Sequence, residues 1–168
     1  YFVNGIRRYL ITAVDLYGRF AFAYAYKNPS SASATDFLKK LRDVAPFTII
    51  RLQTDNGSEF DKHFRQYVEG NELIHFHTYP RSPKMNAHIE RFNRTIQEEF
   101  ANWRKEMLAY DLLAFNKALI DWLLWYNTER PHEALHLLSP LEFFVSNLSA
   151  EKSHMWWTRT HTRQVGMI

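Results

Sequence analysis

Two β-rich runs joined by a short turn constrain the fold of this chain more than any other feature. They lie within "RRYLITAVDLYGRFAFAYAY", residues 7–26, and Gly18 marks the tight turn between them. In the second run, large aromatic residues alternate with alanine, which is typical of a strand with one bulky face. The stretch therefore predicts an antiparallel β-hairpin.

Helical and strand-like patterns alternate after the hairpin. The predicted elements are a helix ending before Pro46, strands over 47–53 and 73–79 with a short helix between them, long helices over 87–107 and 111–127, and a short helix beginning near Pro140. This order predicts an α/β fold, a mixed sheet with helices packed on it.

The size and composition of the chain suit one domain with a full core. It has 168 residues, of which 46% are hydrophobic and 16% aromatic, so a disordered chain is excluded. We expect the core to span residues 1–145 and a polar C-terminal tail to follow over 146–168. Trp103, Trp122 and Trp125 have helical spacing and are interpreted as core residues.

Composition also narrows the function. The chain has no cysteine, which excludes disulfides and cysteine-bound zinc and suits a reducing compartment. No run of eighteen apolar residues is present, so we expect no membrane span, and no signal peptide is visible. The net charge of +3 permits a nucleic-acid partner without establishing one. Because the chain opens on Tyr1 in strand-like sequence, it is interpreted as part of a longer protein.

An acidic residue follows a predicted strand in "TDNGSEF", residues 54–60. Asp55 comes at the strand's carboxyl end, where α/β sheets place their sites, and Asn56 and Gly57 shape a turn that presents it. A candidate partner is Glu90 in "NAHIERFNRT", with 34 residues between it and Asp55. We expect Glu90 in the first turn of a helix, where the helix dipole favours a carboxylate.

Two convergent carboxylates suit divalent cations, which prefer oxygen ligands. Two such metals can activate a water or hydroxyl and stabilise the leaving oxygen of a phosphodiester. The spacing alone leaves a second interpretation open, in which a turn Asp and a helix Glu are merely solvated.

Three segments together resemble the catalytic core of retroviral integrases and bacterial insertion-sequence transposases, the DDE enzymes. They are "TDNGSEF", "PRSPKMNAHIERFNRT" and "WYNTERPHEALHLLSPLEFF", and the resemblance covers roughly residues 7–145. It implies a ribonuclease-H-like fold, with Asp55 and Glu90 as the second and third acidic metal ligands of the catalytic site. It also implies two Mg²⁺ or Mn²⁺ ions, element ends and target DNA as partners, a homo-oligomer on DNA, and a cytoplasmic, nucleoid-associated location.

The same resemblance implies a set of DNA-binding residues around Glu90. They are Arg81, Lys84, Asn86, Arg91, Arg94 and Gln97, with the first three placed on the loop before the helix. Arg94 and Gln97 lie four and seven residues after Glu90 and therefore share its face. Cationic side chains neutralise phosphates and amides position the strand. The alternative is a solvated polar face opposite the apolar stripe of the helix.

The first acidic ligand of the family has no counterpart in this chain. By resemblance it belongs to a strand before Asn4 and Gly5, and Tyr1–Val3 are at most the end of that strand, so the first strand is largely truncated. Asp15 lies one strand later, and its expected role is to cap the hairpin turn. Because two carboxylates bind Mg²⁺ more weakly than three, we expect strand transfer by this chain to be very slow or absent.

Several polar residues near the motifs have simpler interpretations. His88 is expected at the surface, and Asn127, Arg130 and His132 belong to a loop locked by Pro131, although they could reach DNA. Two further functions stay open beside the transposase or integrase core: a ribonuclease-H-type nuclease, and a non-catalytic DNA-binding relic of a mobile element.

Overall fold

The structure, a computed structural model, describes residues 1–77, 83–147 and 153–159, with residues 83–86 and 153–159 described as backbone. The strands are β1 Phe2–Val3, β2 Ile6–Arg7, β3 Tyr9–Asp15, β4 Ala21–Tyr26, β5 Ile49–Thr54, β6 Ile74–His77 and β7 Ser153–Arg159. The helices are α1 Ser31–Val44, α2 His63–Gly70, α3 Pro83–Glu99, α4 Lys105–Tyr110, α5 Leu112–Thr128 and α6 Pro140–Ser146. Short 3-10 turns cover Ser58–Phe60, Ala101–Arg104 and Glu133–Leu135.

Five of the strands form one mixed sheet in the order β4-β3-β7-β5-β6. The predicted hairpin is confirmed: β3 and β4 pair antiparallel, from Tyr9 opposite Tyr26 to Val14 opposite Ala21. On the other side of the sheet, β5 and β6 pair in parallel. The parallel pair needs a crossover connection, and α2 supplies it.

The middle strand of the sheet comes from the C-terminal end of the described chain. β7 runs antiparallel to β3 and parallel to β5, so it is the link between the two halves of the sheet. The sequence predicts a polar tail beyond the core for these residues. A central strand usually shows a continuous apolar run, whereas "SHMWWTR" has polar residues at both ends. The domain boundary at residue 145 stays a prediction.

The first residues form a small ribbon outside the main sheet. Phe2 pairs with Arg7 and Val3 with Ile6, and the connecting Asn4 and Gly5 have φ angles of 48° and 79°. Asn-Gly is the pair that such a two-residue hairpin turn favours, because both positions require positive φ.

Helix α5 covers the outer edge of β4 with two asparagine side chains. Asn116 accepts a hydrogen bond from the Ala25 N–H at 2.8 Å and donates one to the Ala25 carbonyl at 3.0 Å. Asn127 makes the same pair of bonds to Ala21, both at 2.9 Å. All four backbone groups are thereby satisfied without a further strand.

The helices pack their apolar faces on this sheet, largely as predicted. In α1, Phe37, Leu38 and Leu41 are fully buried, and the helix ends two residues before Pro46. Helix α6 begins at Pro140 behind a capping box formed by Ser139 and Glu142. Within the described ranges, no helix is both long and apolar enough to cross a membrane.

The long helix predicted over 87–107 is wrong in its second half. Helix α3 ends at Glu99, Phe100 leaves helical geometry at φ −129° and ψ −63°, and a 3-10 turn leads into α4. Trp103 is consequently 80% exposed, with its indole N–H donating to the Glu98 carbonyl. The core assignment also fails for Trp125, which is 38% exposed, because it faces away from the sheet on α5.

Candidate functional site

The carboxyl end of β5 presents Asp55 on a tight turn, as predicted. The strand ends at the buried Thr54, and the Gly57 N–H donates to Asp55 Oδ1 at 3.1 Å. The following 3-10 turn anchors the segment through Phe60, which is 1% exposed and packs edge-on against Phe64. Asp55 is therefore held by a hydrogen bond on one side and by a core aromatic residue on the other.

Gly57 is required here for space. Its φ of −67° is open to any residue, but a Cβ at this position would lie 2.6 Å from Glu59 Oε2 and 3.0 Å from Asp55 Oδ1. Glu59 itself is only 4% exposed. The turn thus brings a second, buried carboxylate beside Asp55, which the sequence analysis does not include. The signal for it is a glutamate directly before an aromatic anchor in "TDNGSEF".

Glu90 lies on α3, but not where the sequence predicts. The helix begins at Pro83, so Glu90 lies beyond its first turn, and the expected help from the helix dipole does not apply because that effect is confined to the first turn. The helix is fixed to the sheet by buried Ile89 and Phe92 and by a 2.7 Å hydrogen bond from Thr12 Oγ1 to Asn93 Oδ1. Glu90 is exposed on the side left free.

The five predicted DNA-binding residues that lie within the described ranges divide into three groups. Arg94 is exposed and Gln97 half-buried, one and two turns beyond Glu90 on its face of α3. Lys84 and Asn86 belong to α3 and not to a preceding loop, which corrects their predicted placement, because the helix starts four residues earlier than its apolar stripe indicates. Arg91 is exposed on the neighbouring face.

The remaining predicted DNA contact, Arg81, lies outside the described residues. In the part of the chain that the structure describes, no group of three or more histidine, aspartate or glutamate side chains is arranged to hold a metal ion.

The prediction for Asp15 is confirmed. It is fully buried, and its Oδ2 accepts a hydrogen bond from the Gly18 N–H at 2.5 Å, so it caps the hairpin turn. A Cβ on Gly18 would lie 2.3 Å from the Phe144 ring, which explains the glycine.

Asn127 belongs to α5 and not to the predicted loop, and its side chain holds the edge of the sheet. Arg130, in the loop after α5, forms a 2.7 Å ion pair with Glu99. His88 is exposed as expected. Partial burial, and then the charges of Arg19 and Arg91, lower its pKa.

Comparison with known families agrees with this arrangement. Two profiles, both described as "Integrase core domain", match residues 1–83 and 71–140 and together cover most of the chain. This chain belongs to the integrase core family. The predicted resemblance to integrases and transposases is thereby confirmed.

Two relatives of this integrase core come from a virus and an insertion element. It is 30% identical over 155 residues to the candidate integrase ORF3 of Spiroplasma virus SpV1-C74, covering 82% of this chain and 42% of that protein. It is 34% identical over 96 residues to an uncharacterised 31.7 kDa protein of insertion element IS407 from Burkholderia multivorans, covering 55% of this chain and 32% of the relative. The chain spans less than half the length of these two relatives.

The fold of this integrase core is also found among solved structures. The catalytic core domain of HTLV-2 integrase, solved in complex with magnesium in a trimeric form, matches with a TM-score of 0.67 and 17% identity over 85% of this chain and 88% of that one. The predicted ribonuclease-H-like α/β fold is therefore confirmed.

Proposed function

We propose that this integrase core performs the phosphoryl-transfer steps of DNA integration or transposition: cleavage at the 3′ end of element DNA, then joining of that end to target DNA. The observation that carries the proposal is Asp55 on a braced turn at the end of β5, together with Glu90 on the free side of α3. Membership of the integrase core family supports DNA integration or transposition as the general process.

The residues of this chain fit a divalent cation in part. Asp55 and Glu90 would hold it, since carboxylate oxygens are the donors that Mg²⁺ and Mn²⁺ prefer. A pair of such ions supplies activation of the attacking oxygen and stabilisation of the leaving oxygen. For a shared metal, the two carboxylates must lie within about 8 Å of each other. Because the described residues contain no three-carboxylate group, the expected affinity is low and strand transfer by this chain slow or absent.

The proposed DNA strand lies along the face of α3 that carries Glu90. Arg94 and Gln97 share this face, and Arg91, Lys84, Asn86 and Arg81 flank it in sequence. Their role is to neutralise and position phosphates near the carboxylates. The trimeric form of the HTLV-2 core supports the proposal that copies of this chain associate.

Metal binding tests the proposal directly. Titration with Mn²⁺, followed by paramagnetic broadening of backbone amide resonances, should locate binding at the turn after β5 and along α3. Asp55→Asn and Glu90→Gln should each weaken it at least tenfold, because a neutral amide is a poor ligand for such an ion. Asp121→Asn, an exposed aspartate on α5, is the matched control. Equal broadening in all three variants would overturn the assignment.

A non-catalytic DNA-binding protein is the second candidate, favoured by the lack of a three-carboxylate group in the described part of the chain. Strand-transfer assays separate the two functions when they use a longer version of the protein that supplies an upstream aspartate. Activity lost in Asp55→Asn and kept in Asp15→Asn supports the enzyme. DNA binding without any strand transfer in the longer version supports the second candidate.

A further inference from the structure

A cavity of about 510 Å³ lies on the face of α3 next to the one that carries Glu90. Three elements enclose it: the turn between β3 and β4, the first half of α3, and the loop that follows α5. The lining residues used below are Arg19, His88, Arg91, Tyr126, Arg130 and His132. We call this space the arginine cavity. Its volume falls within the range of about 300–1,000 Å³ that is typical of small-ligand sites.

Three arginines from three different elements line this space. Arg19 comes from the β3–β4 turn, Arg91 from α3 and Arg130 from the loop after α5. Their charges act on His132 of the lining. Burial, followed by Arg130 and Arg19, lowers the pKa of His132 to about 4.

Acidic groups also border the arginine cavity, and their positions show which of the arginines are neutralised. Glu99 pairs with Arg130 at 2.7 Å, and Asp15 attracts Arg19 but uses one carboxylate oxygen to cap its own turn. Glu133 lines the rim and is exposed. None of the ion pairs found among the described residues neutralises Arg19 or Arg91.

The groups around the cavity are held in place before any ligand arrives. Arg19 has a left-handed backbone, with φ of 60°, and its guanidinium donates to the Leu16 carbonyl. The His132 ring bonds to the backbone of Tyr126 and packs edge-on against the Tyr126 ring at 4.9 Å. Its Nε2 is buried and has no hydrogen-bond partner.

We infer that the arginine cavity binds a phosphate group of a nucleotide or of a nucleic-acid strand, at a site separate from the proposed carboxylate site. A planar guanidinium presents a fork of donors that matches two phosphate oxygens, and three of them from different directions suit a compact anion. Because this site needs no metal, it can be tested apart from the proposed catalytic function.

The first test is titration of the isotopically labelled protein with inorganic phosphate in the presence of EDTA. The imidazole resonances of His88 and His132 should shift in a saturable way, with chloride at equal ionic strength as the reference. Arg91→Ala and Arg130→Gln should each raise the dissociation constant for phosphate about tenfold. Arg65→Ala, an exposed arginine on α2, is the matched control. Unsaturable shifts, or equal weakening in the Arg65 variant, would overturn the inference.

The second test identifies the source of the phosphate. A short single-stranded oligonucleotide lacking terminal phosphates should compete with inorganic phosphate for the histidine shifts, and its uncharged methylphosphonate analogue should not. Competition assigns the cavity to a nucleic-acid backbone. Saturable binding of inorganic phosphate without such competition supports the site and assigns it to free phosphate or a mononucleotide. Equal competition by the charged and uncharged strands would show that the phosphate is not what is recognised.

Discussion

The two edges of the main sheet are treated in opposite ways. At the β4 edge, α5 lies against the strand, and Asn116 and Asn127 bond the outward-facing backbone groups of Ala25 and Ala21. At the β6 edge, four residues form a short strand in which Ile74 is 44% and Phe76 47% exposed. One edge is closed by buried amides, and the other, called the open edge below, is a brief strand with exposed side chains among the described residues.

This difference separates structural polar residues from those available for function. The side-chain amides of Asn116 and Asn127 on α5 are used in hydrogen bonds to the backbone of the closed edge. The open edge adjoins β5, whose carboxyl end carries Asp55, and the chain continues from β6 towards α3 and Glu90. The proposed chemistry therefore belongs to the less protected half of the sheet, as is common for sites that must admit a large ligand.

The largest effect on the free energy of unfolding is expected at β7, because this strand joins the β3–β4 half of the sheet to the β5–β6 half. Trp156 pairs with Val14 on one side and with Gln53 on the other. Trp156→Pro removes a ladder donor from a central strand and should lower the free energy of unfolding by at least about 3 kcal/mol more than Trp156→Ala does. Urea denaturation checks this. Equal losses in the two variants would mean that the halves hold together without β7.

Opening the closed edge should have the next largest effect. Asn127→Ala leaves the buried N–H and C=O of Ala21 without partners, and Asn116→Ala does the same at Ala25. Each change should cost at least about 2 kcal/mol of unfolding free energy. Lys117→Ala, on the exposed side of α5, is the control and should change it by less than about 0.5 kcal/mol. Urea midpoints that match the control would show that the amides are not needed.

A pH-dependent effect is expected at the open half. Burial, followed by His77 and Arg65, lowers the pKa of His75 to about 4, and its ring lies 2.8 Å from Thr54 Oγ1. In the unfolded chain His75 binds a proton near pH 6.5, whereas in the folded chain it does so only near pH 4. The free energy of unfolding therefore falls as the pH drops from about 6.5 to about 4, and it levels off below pH 4. Since His75 is partly exposed, the loss should be on the order of 1 kcal/mol.

Comparison of urea midpoints between pH 7.5 and pH 4 measures this effect. His75→Gln should flatten the profile over that interval, while His63→Gln on α2 should leave it unchanged. A wild-type slope retained in the His75 variant would assign the titration to another group, such as His132, whose pKa is lowered in the same way.

The smallest effect on stability is expected from a charge on the open edge. Ile74→Lys places a lysine on an exposed edge position and should change the unfolding free energy by less than about 0.5 kcal/mol. It should nevertheless reduce concentration-dependent association, measured by analytical ultracentrifugation without DNA, because lysine discourages pairing between sheet edges. Unchanged association would show that copies do not meet through β6.

The elements that the sequence predicts well are those whose signals are local. The hairpin turn is marked by Asp15 and Gly18, helix α1 by its apolar spacing and Pro46, and α6 by Ser139 and Pro140. In each case the residues that define the element also make the contacts that end it.

The elements that the sequence predicts poorly depend on distant partners. The break after α3 has no glycine or proline, but Arg104 packs over the Phe100 ring at 4.3 Å and redirects the chain. The strand character of β7 exists only through its pairing with β3 and β5.

The candidate site shows the same division between local and distant signals. The turn at Asp55 and the helix carrying Glu90 could be predicted from motifs, but the position of Glu90 beyond the first turn could not. Glu59 was missed because its burial depends on how Gly57 packs. The structural role of Asn116 and Asn127 could have been predicted from the sequence, because both polar residues fall among the buried positions of a largely apolar helix.

The place of β7 in the sheet also determines when the sheet can be completed during folding. The middle of the sheet is the last described strand to be synthesised, and its partner β3 precedes it by roughly 140 positions, which makes this pairing strongly non-local. During translation the edges of β3 and β5 that pair with β7 stay unpaired until β7 has been synthesised. Such edges attract other chains. Yield in the cell should therefore depend on chaperones that shield nascent strands, and on how soon β7 leaves the ribosome.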